Sequence, residues 1–379
     1  MIELHRRLKI AVLHRTFRTD AGGAEAYAVA IALELAKRHD VHVFSQNIDT
    51  SLQGVTFHPI ALYFKKPRWL NQVWYALASW WKTREGFDIV HSHENTWHGQ
   101  VQTVHVLPML FKHSRPLGLL RRVGLILKIL TSLRLLTYTG LEWSRFRNRS
   151  NRQWVAVSKP LQVRLESMWP ALPSAQLHSI SPGIYPSSSD VKKDLNLLHA
   201  KHNRLLWVGN DAQKKNLLTV LQALTLLDTS YTLQVVGSAR PLQLWQDTVK
   251  KWGLEQRVSY LGVVSQMSQV YASADILLHP SLEDTYGMVV LEAMRHGLAV
   301  VVSQANYCGI AADLQHGVNA FIVENPLNAQ AIAHAVVDLS LPLAYENHAA
   351  KAFEFAHQHV WSEVAAAYEV LFEKLTQTQ

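Results

Sequence analysis

The sequence predicts an α/β protein with two domains, each built on a doubly wound parallel sheet. Its 379 residues suggest about two domains, since one domain takes roughly 150 residues. Short runs rich in branched apolar residues, without polar alternation, indicate strands that are buried on both faces, as in parallel sheets. These runs alternate with segments of helical spacing, which is the order that covers both faces of such a sheet with helices.

The first half contains five apolar runs of strand length. A patch rich in proline and serine, 181–189, follows them and is typical of an interdomain linker. We therefore place the N-terminal domain at 1–184. The five runs are Leu8–His14, Val41–Ser45, Phe87–Ser92, Val101–His105 and Trp154–Ser158.

The second half repeats this alternation more clearly, and we place the C-terminal domain at 190–354. Segments of helical spacing, such as Leu217–Leu227 and Val289–His296, lie between its strands. Two such domains facing each other leave a deep cleft at the carboxyl ends of both sheets, where ligands of open α/β sheets bind. The six predicted strands are Arg204–Gly209, Thr232–Gly237, Arg257–Gly262, Asp275–Pro280, Leu298–Ser303 and Ala320–Glu324.

The composition narrows the class of protein. Hydrophobic residues make up 48% of the chain and charged residues 17%, which suits two sizeable cores and argues against disorder. Its single cysteine, Cys308, excludes an internal disulfide and a cysteine-rich zinc site, and indicates a reducing compartment. We find no apolar stretch of spanning length and no signal peptide pattern, so we expect a cytoplasmic protein.

The positive charge is concentrated in the first half. The whole chain carries +8, but residues 1–180 carry +13 and residues 181–379 carry −5. The segment 112–152 alone has ten basic residues against one acidic residue, among many leucines. This pattern indicates a surface that meets anionic lipid head groups or an anionic acceptor. The residues that we assign to it are Arg121, Arg122, Lys128 and Arg134.

The basic segment has two further interpretations. It is equally typical of an ordinary core helix whose arginine heads reach solvent. Binding to nucleic acid is a weaker interpretation, because the basic residues stand among aliphatic rather than stacking aromatic residues and no zinc-finger or RNP pattern is present. We therefore expect no nucleic-acid partner.

The segment 281–294 has the pattern of an anion site. A buried strand ends at Pro280, a polar loop follows, and Gly287 opens a helix. Free amides at a helix start, together with the helix dipole, suit a phosphate. Glu292 lies about 7 Å further along the helix axis, roughly the span from a diphosphate to its ribose, and Asp284 precedes the helix. The alternative is a helix-capping aspartate and an exposed glutamate.

Three other segments follow predicted strands and carry polar or glycine residues. Lys214 and Lys215 lie at a strand end before a helix, where they could neutralise a diphosphate, although such pairs are often only solvated. Gly22 and Gly23 allow a ligand to approach the backbone, or form a plain turn. His93 could donate a hydrogen bond to a sugar oxygen, or serve the structure alone. Since no cluster of acids and histidines completes a metal site, we predict no metal.

Together these segments resemble glycosyltransferase family 4, whose members are retaining enzymes of the GT-B fold. The resemblance covers essentially the whole chain and is strongest from Leu205 to Val323. The family's Glu-x7-Glu element matches Asp284 and Glu292, which is followed by Ala293 and Met294. Within the family, the sequence most resembles the glucosyltransferases of lipopolysaccharide core synthesis. Two departures stand out: Asp284 replaces the usual glutamate, and Asn210 replaces an arginine.

The resemblance implies roles for these residues. It places Glu292 on the nucleotide ribose, Asp284 near the donor sugar, and the amides at the start of the helix on the phosphates. It also implies that the final segment, 355–379, crosses back onto the N-terminal domain. The implied catalytic residues are His93, Lys215 and Asp284. The implied donor-binding residues are Gly22, Gly23, Asn210, Lys214, Lys215, Asp284, Tyr286, Gly287, Met288, Val289 and Glu292.

The resemblance implies a retaining hexosyltransferase that uses a UDP-sugar and no cofactor or metal. It implies that the sugar, with glucose favoured, goes to a cell-envelope glycolipid or polysaccharide such as the lipopolysaccharide core. The protein would then bind as a peripheral protein at the cytoplasmic face of the inner membrane. Two alternatives remain: a UDP-sugar 2-epimerase, which also uses paired Rossmann domains, and a non-catalytic protein of this fold that binds membrane or nucleic acid.

Overall fold

The computed structural model describes residues 6–109, 127–129, 131–147, 151–185 and 202–377. The chain divides into an N-terminal unit, Met1–Pro182 together with Trp361–Gln379, and a C-terminal unit, Gly183–Val360. We expected residues 355–360 in the N-terminal unit, but they belong to the C-terminal unit. The helix that begins at Pro342 continues to His357, and a new helix begins only at Trp361. Residues 186–201, where we expected the C-terminal domain to begin, lie outside the described residues.

The N-terminal unit is a seven-stranded sheet with helices. The sheet order is β5-β3-β1-β6-β7-β8-β9, and its neighbouring strands pair in parallel. The strands of this unit are β1 Lys9–Leu13, β2 Thr16–Phe17, β3 Asp40–Ser45, β4 Asn47–Ile48, β5 Thr56–Pro59, β6 Ile89–Ser92, β7 Val101–Val104, β8 Gln153–Ala156 and β9 Leu177–Ser179. The helices whose bounds the structure describes in this part of the unit are α1 Gly23–Ala36, α2 Arg68–Thr83, α3 Leu133–Arg145 and α4 Lys159–Met168.

The C-terminal unit is a six-stranded parallel sheet in the order β12-β11-β10-β13-β14-β15. Counted within the unit, this is the order 3-2-1-4-5-6 of a doubly wound Rossmann sheet. The strands are β10 Arg204–Val208, β11 Thr232–Val236, β12 Val258–Gly262, β13 Ile276–His279, β14 Ala299–Ser303 and β15 Phe321–Val323. The helices are α5 Leu217–Leu226, α6 Leu242–Lys251, α7 Met267–Ser273, α8 Met288–Arg295, α9 Ala329–Ser340 and α10 Pro342–His357.

Strand order fixes one special position in each sheet. The direction of winding reverses between β1 and β6 in the N-terminal unit and between β10 and β13 in the C-terminal unit. At such a switch point the loops after the two strands run in opposite directions and leave a crevice for a ligand. The loops after these four strands contain most of the residues that the sequence singled out.

The final helix, α11 Trp361–Gln377, packs against α1 within the N-terminal unit. The hydroxyl groups of Tyr27 and Tyr368 lie 2.9 Å apart, and the Tyr27 ring meets that of Trp361 edge-on. His39 Nε2 lies 2.9 Å from a Glu369 carboxylate oxygen. The last helix is therefore held by buried polar contacts as well as by apolar packing.

Four short strands were not predicted. β5 and β9 form the two edges of the seven-stranded sheet, and β2 pairs only with β4. Edge strands bury one side only, so β5 and β9 lack the uninterrupted apolar runs that mark the central strands. The eleven predicted strands are all present, with ends that shift by one or two residues.

Candidate functional site

The switch point of the C-terminal unit brings together the two loops with the strongest sequence signals. The loop after β10 ends at Asn216, whose side-chain amide donates to the carbonyl oxygens of Pro280 at 3.1 Å and Pro326 at 2.7 Å. The Leu282 amide donates to the Lys214 carbonyl at 2.8 Å. These bonds join the lysine-containing turn to the loop after β13 and hold both loops in one arrangement.

Asp284 lies at the centre of this site. Its Oδ2 accepts from the Lys215 ammonium and from His279 Nε2, the latter at 3.0 Å. Burial acts to raise the pKa of Asp284, but the Lys215 charge and the His279 hydrogen bond outweigh it, so the pKa lies below the usual range. Burial keeps the pKa of His279 below its ordinary value. Asp284 is therefore a carboxylate at neutral pH, and His279 is a neutral donor.

Gly287 starts helix α8 with a backbone that disfavours other residues. Its φ is +104°, and a Cβ there would lie 2.8 Å from Cys308 Sγ. No side chain caps this helix start among the described residues. The amides of Met288 and Val289 stand in the first turn, where amides lack an intrahelical acceptor. The site thus has the helix start suited to an anion that the sequence predicted.

Tyr286 precedes this glycine and is buried. Its carbonyl oxygen accepts from the Ile310 amide at 2.7 Å and from the Cys308 thiol at 3.3 Å. Its hydroxyl group has no hydrogen-bond partner within the described ranges. The observed contacts therefore support the loop, and the donor-binding role of Tyr286 stays a prediction.

Glu292 lies one turn and a half into α8. Its Oε2 accepts from the Tyr271 hydroxyl of α7 at 2.7 Å. Burial raises the pKa of Glu292, and the Tyr271 hydrogen bond opposes that rise only in part. This environment differs from the exposed glutamate that we considered as an alternative, and it fixes one oxygen of the carboxyl group.

Lys214 and Asn210, the remaining polar residues of the turn, already have partners. Lys214 Nζ lies 2.6 Å from a Glu283 carboxylate oxygen. Asn210 Oδ1 accepts from the Ser238 amide at 3.0 Å. The predicted pair of lysines therefore meets a pair of carboxylates in this structure, and an arriving diphosphate would have to compete with them.

One group of side chains in the described residues could converge on a metal. Ligand atoms of His279, Asp284 and Cys308 lie within 4.8 Å of one another. However, the Asp284 oxygen is already shared by two donors, and burial raises the pKa of the Cys308 thiol well above its usual range. A cation would have to displace the Lys215 ammonium and a thiol proton, so the donor set fits a metal poorly.

In the N-terminal unit, the switch point lies between β1 and β6. Gly22 and Gly23 form the start of α1, and His93 follows β6. His93 is buried and lies against two other histidines. Its Nδ1 lies 2.9 Å from His105 Nε2, and the centre of its ring is 4.2 Å from that of His91. Burial, with neighbouring histidines, holds the pKa of His93 well below its usual value.

A neutral His93 can donate or accept a hydrogen bond but carries no charge at neutral pH. Its Nε2 is buried and has no partner among the residues described. That atom is the one through which the predicted contact with a sugar oxygen would be made, and this role stays a prediction.

The basic segment 112–152 does not form a single surface. Arg145 is buried and donates to the Thr103 carbonyl at 2.6 Å, and Arg152 is buried and donates to the Trp97 carbonyl at 2.7 Å. These two arginines hold the backbone, which corrects our expectation of a wholly docking segment. Lys128 and Arg134 are exposed, whereas Arg121 and Arg122 lie outside the described residues.

His279, Tyr271 and Glu283 complete the site without having been assigned a role from sequence. His279 ends a buried strand, which is the same signal that singled out His93. Tyr271 gave no such signal, because it lies 21 residues from Glu292 in the sequence and on a different helix. The folded arrangement of α7 and α8 brings the two side chains together.

Two family models match the chain. The model described as Glycosyltransferase Family 4 matches residues 21–188, and the model described as Glycosyl transferases group 1 matches residues 202–341. Between them they cover both units.

Curated relatives match part of the chain. The lipopolysaccharide glucosyltransferase WaaG of Escherichia coli is 31% identical over 145 residues, which are 35% of this chain and 38% of that protein. The O-antigen chain mannosyltransferase B of Escherichia coli is 28% identical over 180 residues, 44% and 45% of the two chains. The chain spans half or less of the length of the first curated relatives that it matches.

Solved structures match over almost the full length. A crystal structure of WaaG, a glycosyltransferase involved in lipopolysaccharide biosynthesis, has a TM-score of 0.77 at 20% identity and covers 95% of this chain and 98% of its own. Anabaena HepE in complex with UDP and glucose has a TM-score of 0.72 at 18% identity and covers 97% and 100%. These likenesses confirm the predicted GT-B type of α/β fold. No helix in the described part of the chain is long and apolar enough to cross a bilayer.

Proposed function

We propose that this chain, which belongs to glycosyltransferase family 4, transfers a hexose from a UDP-sugar to a cell-envelope glycolipid or polysaccharide. Glucose is our candidate sugar, the lipopolysaccharide core our candidate acceptor, and retention our candidate stereochemistry. WaaG of Escherichia coli is a lipopolysaccharide glucosyltransferase. HepE was crystallised with UDP and glucose.

The observation that carries this proposal is the convergence at the switch point of the C-terminal unit. The Gly287 helix start, the Lys215 ammonium and the Asp284 carboxylate meet on loops after β10 and β13. A nucleotide sugar presents a diphosphate, a ribose and a sugar ring, and each of these needs a different partner. This site offers amides and an ammonium to the diphosphate, and carboxylates to the hydroxyl groups.

The chemical problem in glycosyl transfer from a nucleotide sugar is charge on the departing diphosphate. Preorganised donors directed at that charge stabilise the transition state, often as the largest single contribution. In our proposal the amides of Met288 and Val289 and the Lys215 ammonium supply it. Lys215 is held in place by Asp284 before the donor arrives, so it loses little conformational freedom on binding.

The two carboxylates serve as acceptors. The lowered pKa of Asp284 keeps it ionised, so it would accept a hydrogen bond from a donor-sugar hydroxyl rather than deliver a proton. Glu292, with one oxygen on Tyr271, would use the other for the ribose hydroxyls. Lys214 and Asn210 line the same turn and complete the proposed donor pocket.

Residues of the N-terminal unit supply the remaining proposed contacts. We place His93 Nε2 at the reacting sugar and Gly22–Gly23 beside donor and acceptor. Attack from the face that the diphosphate leaves would give retention, with a phosphate oxygen taking the acceptor's proton. We also propose that the protein acts at the cytoplasmic face of the inner membrane, with the exposed Lys128 and Arg134 near anionic lipid.

A hydrolysis screen across UDP-, GDP- and ADP-sugars tests this proposal. We expect slow hydrolysis of a UDP-hexose without acceptor, unchanged by a chelator, and NMR of the first-formed sugar showing the anomer of the donor. Inverted product would contradict retention. Release of a new sugar isomer from UDP-N-acetylglucosamine alone would instead indicate an epimerase, and failure to bind any nucleoside diphosphate would contradict donor binding altogether.

A further inference from the structure

Helix α2 and the loop before it expose an unusual concentration of large apolar side chains. Tyr63 is 69% exposed, Trp81 62% and Leu77 46%. Leu62, Phe64 and Trp80 are also exposed. We call residues 61–84 the α2 surface. Four of the chain's twelve tryptophans fall within it, although it is only 24 residues long.

The opposite side of α2 is firmly packed, so the exposure is not a sign of a loose helix. Tyr75 is fully buried and donates to the Phe44 carbonyl at 2.8 Å. Asn71 and Gln46 exchange two amide hydrogen bonds of 2.9 Å. The helix is therefore held on the sheet by its inner face and presents its outer face to the surroundings.

The outer face forms a groove of about 490 Å³. The Trp74 indole donates to the Ala61 carbonyl at 2.8 Å, and its ring lies 5.0 Å from that of Tyr63. These contacts fix the loop against the helix and shape one wall of the groove. Leu77, Trp80 and Trp81 contribute to the rest.

The charge of the α2 surface is of one sign. Its basic residues are Lys65, Lys66, Arg68, Lys82 and Arg84, and it contains no acidic residue. All five are exposed. Only Arg84 has an acidic neighbour within 4 Å among the described residues, Glu85 at 3.8 Å, and its guanidinium stacks over Trp81 at 4.0 Å. The cations thus flank the groove and remain available to an anionic partner.

We propose that the α2 surface docks on an anionic lipid bilayer. Tryptophan and tyrosine are the aromatic residues that favour the boundary between lipid tails and water, because one end of each is apolar and the other can hydrogen-bond. Lysine and arginine beside them are attracted to the head groups of anionic lipids. A protein partner would be expected to bring acidic residues to these cations. Because lysine is depleted from the interfaces between proteins, a bilayer fits this surface better than a protein does.

The α2 surface is distinct from the basic residues that we assigned from sequence. Helix α3 contacts α2 and carries exposed Leu133, Leu136 and Trp143 with Arg134, so it could extend the same docking region. Docking on a bilayer is a property separate from glycosyl transfer. It rests on the proposed function in one respect: docking would bring the enzyme to a lipid-linked acceptor.

Vesicle sedimentation with the full chain tests the proposal. The probes are vesicles of phosphatidylcholine alone and of phosphatidylcholine with phosphatidylglycerol, at low and high salt. We expect binding to the anionic vesicles that weakens at high salt, since salt screens these charges. The double variant Trp80→Ala/Trp81→Ala and the double variant Lys65→Glu/Lys66→Glu should each lower partitioning at least about tenfold.

Two matched variants make the test specific. Lys159→Glu reverses the charge of one exposed lysine on α4, which packs at the other edge of the sheet, and should bind like the wild type; its comparison is the single variant Lys65→Glu. Lys128→Glu/Arg134→Glu tests the residues assigned from sequence. The proposal is overturned if the wild type does not bind anionic vesicles. It is also overturned if the α2 variants bind normally while Lys128→Glu/Arg134→Glu does not.

Donor hydrolysis in solution separates this proposal from the proposed function. The α2 variants should hydrolyse a UDP-hexose at the wild-type rate, because none of the changed residues belongs to the donor site. A wild type that binds vesicles through α2 but hydrolyses no donor would retain the docking surface and contradict glycosyl transfer. The reverse result would contradict docking alone.

Discussion

Lys215 is the residue on which the proposed chemistry most depends. Its ammonium contacts Asp284, which lies three residues before Gly287 at the start of helix α8. Lys215→Ala should lower kcat by about 100-fold, because loss of one donor to developing charge commonly costs that much. The measurement is turnover at saturating UDP-hexose, once the screen has identified the sugar.

Lys214→Ala provides the matched control for Lys215. Lys214 is more exposed and pairs with Glu283, so we expect its loss to lower kcat by less than about tenfold, as for exposed ion pairs. Removing Lys215 also leaves the Asp284 carboxylate with only His279 and a long hydrogen bond from the Tyr286 amide among the described residues, so thermal unfolding should confirm that the variant is folded. Equal losses for both lysines would contradict the special role of Lys215.

Glu292 should discriminate nucleotides by their ribose hydroxyls. With one oxygen on Tyr271, the carboxyl group has its other oxygen for the ligand. The wild type should bind UDP about 10- to 100-fold more tightly than 2′,3′-dideoxy-UDP, the range for a hydrogen bond to a charged group. Glu292→Gln should lose most of this difference, as measured by calorimetry.

Tyr271→Phe separates positioning from contact. It removes the hydrogen bond that fixes Glu292 but leaves its carboxyl group in place, so the preference for UDP should shrink without vanishing. A Glu292→Gln variant that still prefers UDP by the wild-type ratio would place the ribose elsewhere.

At the scale of the element, the start of helix α8 should tolerate no side chain at Gly287. A positive φ costs an alanine about 1–2 kcal/mol, and the new Cβ would also meet Cys308 Sγ at 2.8 Å. Gly287→Ala should therefore lower the free energy of unfolding by about 2–3 kcal/mol, as measured by urea unfolding.

Gly317 and Cys308 resolve the two contributions. Gly317 has φ +76°, and a Cβ added there would have nothing within 4 Å, so Gly317→Ala should show the backbone cost alone. Adding Cys308→Ala to Gly287→Ala should remove the steric part, after correction for Cys308→Ala by itself. Equal costs at the two glycines would show that the thiol imposes no constraint.

The elements were predictable in proportion to how completely they are buried. Strands such as β10 and β13 contain uninterrupted apolar runs, 205–208 and 276–278, so their positions follow from the sequence. The edge strands β5 and β9 gave no comparable pattern. The site followed the same principle: Gly287 and Lys215 lie next to predicted strand ends, while the Tyr271–Glu292 bond depends on how two helices pack. The buried positions of Arg145 and Arg152 could be recognised only from the fold, because the sequence does not distinguish a buried arginine from an exposed one.

At the scale of the whole molecule, the N-terminal unit should be sensitive to acid. Burial lowers the pKa of His91 to about 3, and burial together with Arg152 lowers that of His98 to about 3. Burial also holds the pKa values of His93 and His105 well below normal. Below about pH 6.5 these histidines bind protons in the unfolded chain but not in the folded unit. The free energy of unfolding therefore falls as the pH drops towards 3.

Urea unfolding at several pH values measures this effect. Each buried histidine should remove up to about 1.4 kcal/mol of stability per pH unit across that window. His98→Gln should reduce the slope by about one proton, whereas His334→Gln, at an exposed position, should leave it unchanged. Stability that stays constant from neutral pH to pH 5 would show that these histidines titrate freely.

The most direct test of the donor site is a calorimetric comparison of UDP with uridine. If the diphosphate binds at Lys215 and the Gly287 helix start, Lys215→Ala should weaken UDP binding by about tenfold or more and leave uridine binding unchanged. Lys215→Arg, which keeps the charge, should lose less. Wild-type affinity for UDP in Lys215→Ala, or an equal loss for uridine, would contradict the proposed placement of the diphosphate.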